Sequence, residues 1–295
     1  MIYTETNANR CSFVLTLIGV LVLTSETLLL RLINIDPWTM NFWRGLMMAI
    51  GLVVAYSLIQ RGKIRNEIAQ IGIAGIALAI VFALNSITFV FAVNHTKVAN
   101  VLIILASTPL MAALLSVIIL KENVPKSTWA AIIAGMTGVI FVTGDGLRSG
   151  VWLGEIFAFI SALTLAVTFI IINRNKHLSM IPAAVFGAAI SAIIVAPFAS
   201  PMSIISTNWE LLFLLGFIVL PLSFGLITHG LRTVPAPEVA LLMLLETVLG
   251  PLWVWIAINE MPTKNTFIGG IVIISAVALQ SAWRFRPSRS NISLD

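Results

Sequence analysis

The sequence predicts an all-α polytopic membrane protein: ten transmembrane helices arranged as two inverted five-helix repeats. Three observations carry that prediction. Of 295 residues, 59% are hydrophobic and 10% charged, and mean hydropathy is +1.04; soluble domains hold about 45–50% apolar and about 25% charged residues. Apolar runs long enough to cross a bilayer, about 20 residues each, recur along the whole chain. A stretch in the first half is also echoed, in pattern, in the second.

The runs occupy 12–31, 38–59, 70–93, 97–120, 128–144, 152–173, 179–199, 209–231, 236–258 and 265–284. Breaker residues separate them: Asp36-Pro37, Arg61-Gly62-Lys63, Asn123-Val124-Pro125, Gly144-Asp145-Gly146, Pro201 and Met261-Pro262. Alternating strand patterning is absent, which argues against a β-barrel. The opening MIYTETNANRCS has no basic cluster with a small-residue cleavage site, so the first run is expected to be a retained helix. Residues 1–11 and 285–295 are expected as tails.

An even number of spans puts both termini on one face. That face receives Arg10, Arg61, Lys63, Arg65, Lys121, Lys126, Arg174, Lys176, Arg232, Arg284, Arg286 and Arg289; the other receives Arg31, Lys97, Arg148 and Lys264. Twelve against four places both termini in the cytoplasm, in a cell inner (plasma) membrane. The excess of 17 Lys and Arg over 12 Asp and Glu is thus a topology signal, and nucleic acid is rejected as a partner. The single cysteine, Cys11, rules out an intramolecular disulfide. There is no G-x-x-x-x-G-K-[ST], no H-E-x-x-H, no cysteine pair and no histidine cluster, so the sequence calls for no nucleotide, metal or other cofactor.

The echo lies between LASTPLMAALLSVIILKENVPKSTWAA (105–131) and MLLETVLGPLWVWIAINEMPTKNTFIGG (243–270). In register, Thr108 meets Glu246, Glu122 meets Glu260 and Lys126 meets Lys264. Five spans per half is an odd number, so the second half, 152–284, enters the membrane from the face opposite to the first, 12–144. Inverted repeats of this kind are the architecture of many secondary transporters, whose sites lie near the bilayer midplane.

These features resemble the drug/metabolite transporter superfamily and, within it, the EamA-type transporters. The motif of that family runs from small residues through (T/E)-P-(V/L) to a helix ending in L-x-E. Its first copy here is Ser107-Thr108-Pro109-Leu110 with Lys121-Glu122; its second is Leu245-Glu246-Thr247-Val248 with Asn259-Glu260. Thr247 stands where the family usually has proline, and Pro251 sits one turn later, so the bend of that helix is expected to be displaced toward Pro251. The resemblance implies a basket in which helices 1–4 and 6–9 surround a central cavity and helices 5 and 10 are peripheral. It also implies alternating access and, by analogy, efflux.

Three ionisable residues lie well inside spans: Glu26, Arg44 and Glu246. Each costs at least about 2.5–3.5 kcal/mol at a helix centre, so each should face protein or water rather than lipid. Glu26 precedes Arg31 at the end of the first run by five residues, and Arg44 follows Trp38 by six. At about 1.5 Å per residue both lie at one depth, and the short connection between them favours a pair. Thr24, Ser25 and Thr27 surround Glu26 with hydroxyls. A carboxylate in such a site can exchange a proton or bind a cationic group such as an amine. Glu26 is therefore the leading candidate for a substrate- or proton-binding acid. Glu246, midway along its run, suits a midplane site or a helix-packing role.

Further candidates for the cavity are Asn85, which interhelical hydrogen bonding explains as readily, and the two tryptophans deeper than the interfacial set, Trp43 and Trp253. His95 in a loop, His229 at a helix end, and the hairpin acids Glu122 and Glu260 read as interfacial. Pro109, Pro221 and Pro251 are candidate hinges, though static packing explains them equally well. The expected function is secondary transport of a small polar metabolite, an amino acid or amine. Partners are that solute, the bilayer and, through Glu26, protons; the sequence leaves oligomeric state open. The rivals are an uptake permease or exchanger of the same fold, an intramembrane lipid-modifying enzyme, for which only Glu26 and Arg44 share a depth, and a membrane scaffold or sensor.

Overall fold

Hydrocarbon offers a backbone amide no partner, so a spanning chain must satisfy its own. The computed structural model does this with helices, and no strand occurs among the described residues, which are 2–59, 70, 72–95, 98–143, 152–202, 209–258 and 264–284. The basic loop residues Arg61, Lys63, Arg65, Lys97 and Arg148, the hairpin acid Glu260 and the segment 285–295 lie outside them.

The first half runs α1 (Ile2–Leu23), α2 (Glu26–Ile33), α3 (Pro37–Ile59), α4 (Gly72–His95), α5 (Val98–Leu105), α6 (Thr108–Leu115) and α7 (Lys126–Thr143). The second runs α8 (Trp152–Arg174), α9 (Ile181–Val195), α10 (Trp209–Phe213), α11 (Leu220–Gly230), α12 (Ala236–Met243), α13 (Leu245–Ile258) and α14 (Lys264–Arg284). Among the described residues, seven stretches are long and apolar enough to cross a membrane, and Thr108–Leu120 and Ile271–Gln280 form shorter apolar helices. Helix begins at Ile2, so the segment expected as an N-terminal tail already belongs to α1.

Several expected spans are not single helices. The first breaks at Thr24-Ser25, the fourth at Ala106-Ser107 and the ninth at Leu244. One local device recurs at each. Ser25, Ser107 and Leu244 donate their amides three residues back, to Val22, Ile104 and Leu241, tightening the turn. Hydroxyls compete for the same carbonyls: Ser25 Oγ donates to Val22 O at 2.8 Å and Ser107 Oγ to Ile104 O at 2.6 Å. Thr247 Oγ1 donates to Leu244 O at 2.7 Å, and its amide to the same carbonyl at 3.1 Å. No break falls at Pro251: α13 continues through that residue, and the break lies at Leu244, in register with Ala106. Thr247 does what proline does in the first copy. Pro109 has no N–H for the Leu105 carbonyl; Thr247 turns its N–H away from the Met243 carbonyl.

Pro221 accompanies a widened turn, Leu214–Val219, which joins α10 to α11. It is buried, and its Cγ would lie 2.7 Å from a Cβ placed on Gly51.

Packing runs mainly between the halves. The most extensive helix contacts pair α7 with α14, α4 with α8, α3 with α9, α1 with α11 and α4 with α9. Small residues allow them: Gly187, Ala184 and Ala188 of α9 are buried, and a Cβ on Gly187 would meet the Ala79 carbonyl at 2.8 Å. The outer surface is apolar. Ile73, Ile76, Ile80 and Leu84 form an exposed stripe at helical spacing on α4, as a lipid-facing helix requires.

Candidate functional site

The α2–α3 turn aligns the two charges of the first half. Asn34 takes the left-handed conformation (φ 44°), and Asp36 Oδ1 accepts the Thr39 amide at 2.9 Å, starting α3 at Pro37. Glu26 stands at the first position of α2, just after a break, where free helix amides favour a carboxylate. Arg44 Nε donates to Glu26 Oε1 at 3.0 Å, and Arg44 Nη2 donates to the same oxygen. The side chains are only 11% and 5% exposed. Arg44 Nη1 donates to Ser86 Oγ at 2.9 Å, Ser86 donates on to Asn41 Oδ1 at 3.0 Å, and the guanidinium lies 5.6 Å from the Phe89 ring centre.

This pair lines a central cavity of about 110 Å³. Its polar wall combines Glu26, Arg44 and Asn85 with Ser161, Thr168, Ser223 and Glu246 of the second half; Phe82, Phe89, Phe169 and Phe224 close it with rings. Glu246 sits on the first turn of α13, and Thr27 Oγ1 donates to its Oε1 at 3.2 Å. Among the described residues Glu246 forms no ion pair. A second cavity, of about 190 Å³, lies by the α2–α3 turn, lined by Thr27, Arg31, Asn34 and Asn94 among others, and shares Phe89 with the first.

Asn85 lines the cavity but turns its amide to the second half: Nδ2 donates to Ser161 O at 2.8 Å, Ser161 Oγ at 3.1 Å and Thr164 Oγ1 at 3.2 Å. The two tryptophans stand outside it. Trp43, one residue from Arg44, is about 100° round the helix from it and packs edge-on against Phe42 and Trp209. Trp253 is 39% exposed and donates its indole N–H to Thr24 Oγ1 at 2.9 Å, tying α13 to the first break. Pro109 is buried at the second position of α6 and is not among the residues lining the cavity. His95 caps α4 rather than sitting in a loop, stacked 5.6 Å from Phe91. The polar stripe Ser161, Thr164, Thr168 on α8 went unread in the sequence, although its spacing of three to four residues puts it on one face. Among the described residues no three His, Cys, Asp or Glu side chains cluster as for a metal.

A helical bundle with an apolar exterior and a charged internal cavity at its broken helices defines a multi-pass membrane transport protein. The chain belongs to the EamA-like transporter family, whose model matches residues 11–144 and again 152–282; it is thereby a member of the drug/metabolite transporter superfamily. It is similar to an S-adenosylmethionine uptake transporter of Rickettsia bellii, 28% identical over 203 residues, 68% of each chain. It is also similar to the Pseudopaline exporter CntI of Pseudomonas aeruginosa, 22% identical over 77% of this chain and 81% of that one. A solved protein crystal structure shares the fold with a TM-score of 0.78 at 15% identity, over 94% of this chain and 99% of that one.

Proposed function

We propose that this chain is a secondary-active transporter of ten spanning helices in two inverted repeats, exporting a small polar metabolite with an amine or amino-acid head group by alternating access. Both termini lie in the cytoplasm, by the loop-charge bias. The observation that carries the reading is the buried Glu26–Arg44 pair on the cavity wall. A zwitterion brings the same two charges: its ammonium replaces Arg44 at Glu26, and its carboxylate replaces Glu26 at Arg44. The exchange adds no net charge to the membrane interior, where an uncompensated charge is expensive. Glu26, once parted from Arg44, is the acid positioned to take up a proton. The breaks at Ala106-Ser107 and Leu244 are the joints on which the halves rock.

The relatives' names support the solute class, since S-adenosylmethionine is an α-amino acid. The exporter name supports the direction. The Rickettsia name favours a second reading, uptake through the same site.

The test is a thermal-shift screen of detergent-purified protein and its Glu26→Gln variant against amino acids, S-adenosylmethionine, amines, nucleosides and organic acids. A ligand at about 100 times its Kd stabilises by about 2.7 kcal/mol. Amino acids or amines should shift the wild type and not the variant. Stabilisation by organic acids or nucleosides alone would refute the solute class. Counterflow in vesicles of known orientation then separates export from uptake.

A further inference from the structure

Charge around the central cavity does not balance. Among the described residues its lining holds three ionisable side chains, Glu26, Arg44 and Glu246. Arg44 is committed to the first half: Nε and Nη2 donate to Glu26, and Nη1 donates to Ser86. Glu246 receives the neutral Thr27 hydroxyl at 3.2 Å and, among the described residues, no cation. A small void that Glu246 also lines is walled otherwise by apolar side chains with Thr108 and Thr247, and no basic side chain reaches it. Two acids facing one base leave a negative charge in excess, and an uncompensated charge at membrane depth is expensive. A single positive charge restores neutrality. The same wall carries Phe82, Phe89 and Phe224, a residue type whose ring face attracts cations.

We propose that Glu246 is the counter-ion for a second positive charge on the solute, carried on its side chain, and that a proton takes that place while the cavity is empty. The inference rests on the transport reading: once the head group has exchanged into the Glu26–Arg44 pair, the remaining acid faces the rest of the solute. The solute class narrows to amino acids with one net positive charge, those whose side chain ends in an ammonium or sulfonium group. Loading breaks the Glu246 O–H bond, the proton passes to water, and the cation settles against the carboxylate. One charge enters as one leaves, so the interior stays neutral at both stages. A neutral amino acid leaves the proton in place. An acidic side chain meets Glu246 with no base to answer it. Glu246 thereby sets specificity and makes binding of the cation and of the proton mutually exclusive.

The probes are methionine and S-methylmethionine, which differ by one methyl group and one positive charge. Each is titrated into purified wild-type protein by calorimetry across a pH series, in buffers of different protonation heat. S-methylmethionine should bind the tighter and release a proton on binding. Its affinity should fall about tenfold per pH unit on acidification, the slope of a one-proton exchange. Methionine should release none. Glu246→Gln should bring the two affinities together and remove the slope. Without solute, the wild type should show the infrared carbonyl stretch of a neutral carboxyl group. Glu246→Gln should delete that band, and Thr27→Val, by removing a hydrogen bond, should move it to higher frequency. Equal affinities with no proton release overturn the inference. So does a slope that survives in Glu246→Gln, which would assign the proton to Glu26. Should Glu246→Gln fail to fold, the wild-type proton count and the band shift in Thr27→Val still decide. Methionine binding with no preference for S-methylmethionine defeats this inference alone; failure of both probes to bind defeats the head-group reading and this one with it.

Discussion

Thr108 and Glu246 hold the same place in the two halves, on the first turn after a break, yet one is a small hydroxyl and the other an acid. The wider contrast runs the opposite way. Around the cavity the first half supplies the fixed charges Glu26 and Arg44, with Ser86 and Asn41 behind them; the second supplies Ser161, Thr168 and Ser223, and only Glu246 as an acid. The breaks recur because the backbone device recurs. The charges do not: no Glu–Arg pair lines the cavity from the second half among the described residues. The fold is repeated and the chemistry is not.

The strongest way to break this contrast is Arg44→Ala. It leaves Glu26 buried without its partner, and removing one member of a buried pair costs about 3–5 kcal/mol. The melting temperature in detergent should fall steeply, and Glu26→Gln in the same background should restore much of it. A wild-type melt in Arg44→Ala would mean that the first half's charges are solvated after all.

Next in size is Gly45→Ala. A Cβ there lies 2.7 Å from both the Ala188 carbonyl and Ser191 Oγ, so α3 and α9 must part. Overpacking of this kind costs about 1–3 kcal/mol. Gly225→Ala, with nothing within 4 Å of its added carbon, should be neutral or stabilising in the same melt.

The two breaks can be compared directly. Thr247→Val removes the hydroxyl from Leu244 O, and a typical hydrogen bond contributes about 0.5–1.5 kcal/mol. Ser107→Ala removes the matching hydroxyl, but Pro109 remains to hold the first break open. Thermal unfolding should therefore show the larger loss for Thr247→Val. Equal losses would show that proline contributes nothing to the first break. The smallest effect is expected for Trp253→Phe, which loses the bond to Thr24 at a partly exposed site. Its signature is increased proteolysis or hydrogen exchange around the first break, with little change in overall melting.

Much of this was legible in the chain. The apolar runs mark the helices because hydrocarbon tolerates little else, and the Glu26–Arg44 contact follows from opposite charges at one depth on helices joined by a short turn. Helix rotation was not legible. Trp43 follows the neighbouring position into an aromatic cluster, and Asn85 turns to α8, because which face meets which neighbour depends on small residues such as those of α9. The break at Thr24-Ser25 was also hidden, since hydroxyl-to-carbonyl bonds compete with the helix only locally and leave no gap in hydropathy. Thr247 shows how a motif can mislead: the missing proline pointed toward Pro251, while a hydroxyl and a turned amide kept the break in place.

The pairing of α7 with α14, α4 with α8, α3 with α9 and α1 with α11 makes the halves interdependent. Neither half owns a core; each completes the other's. A lone copy of the repeat would leave its small-residue faces bare, so either half expressed alone should fold only when the other is supplied.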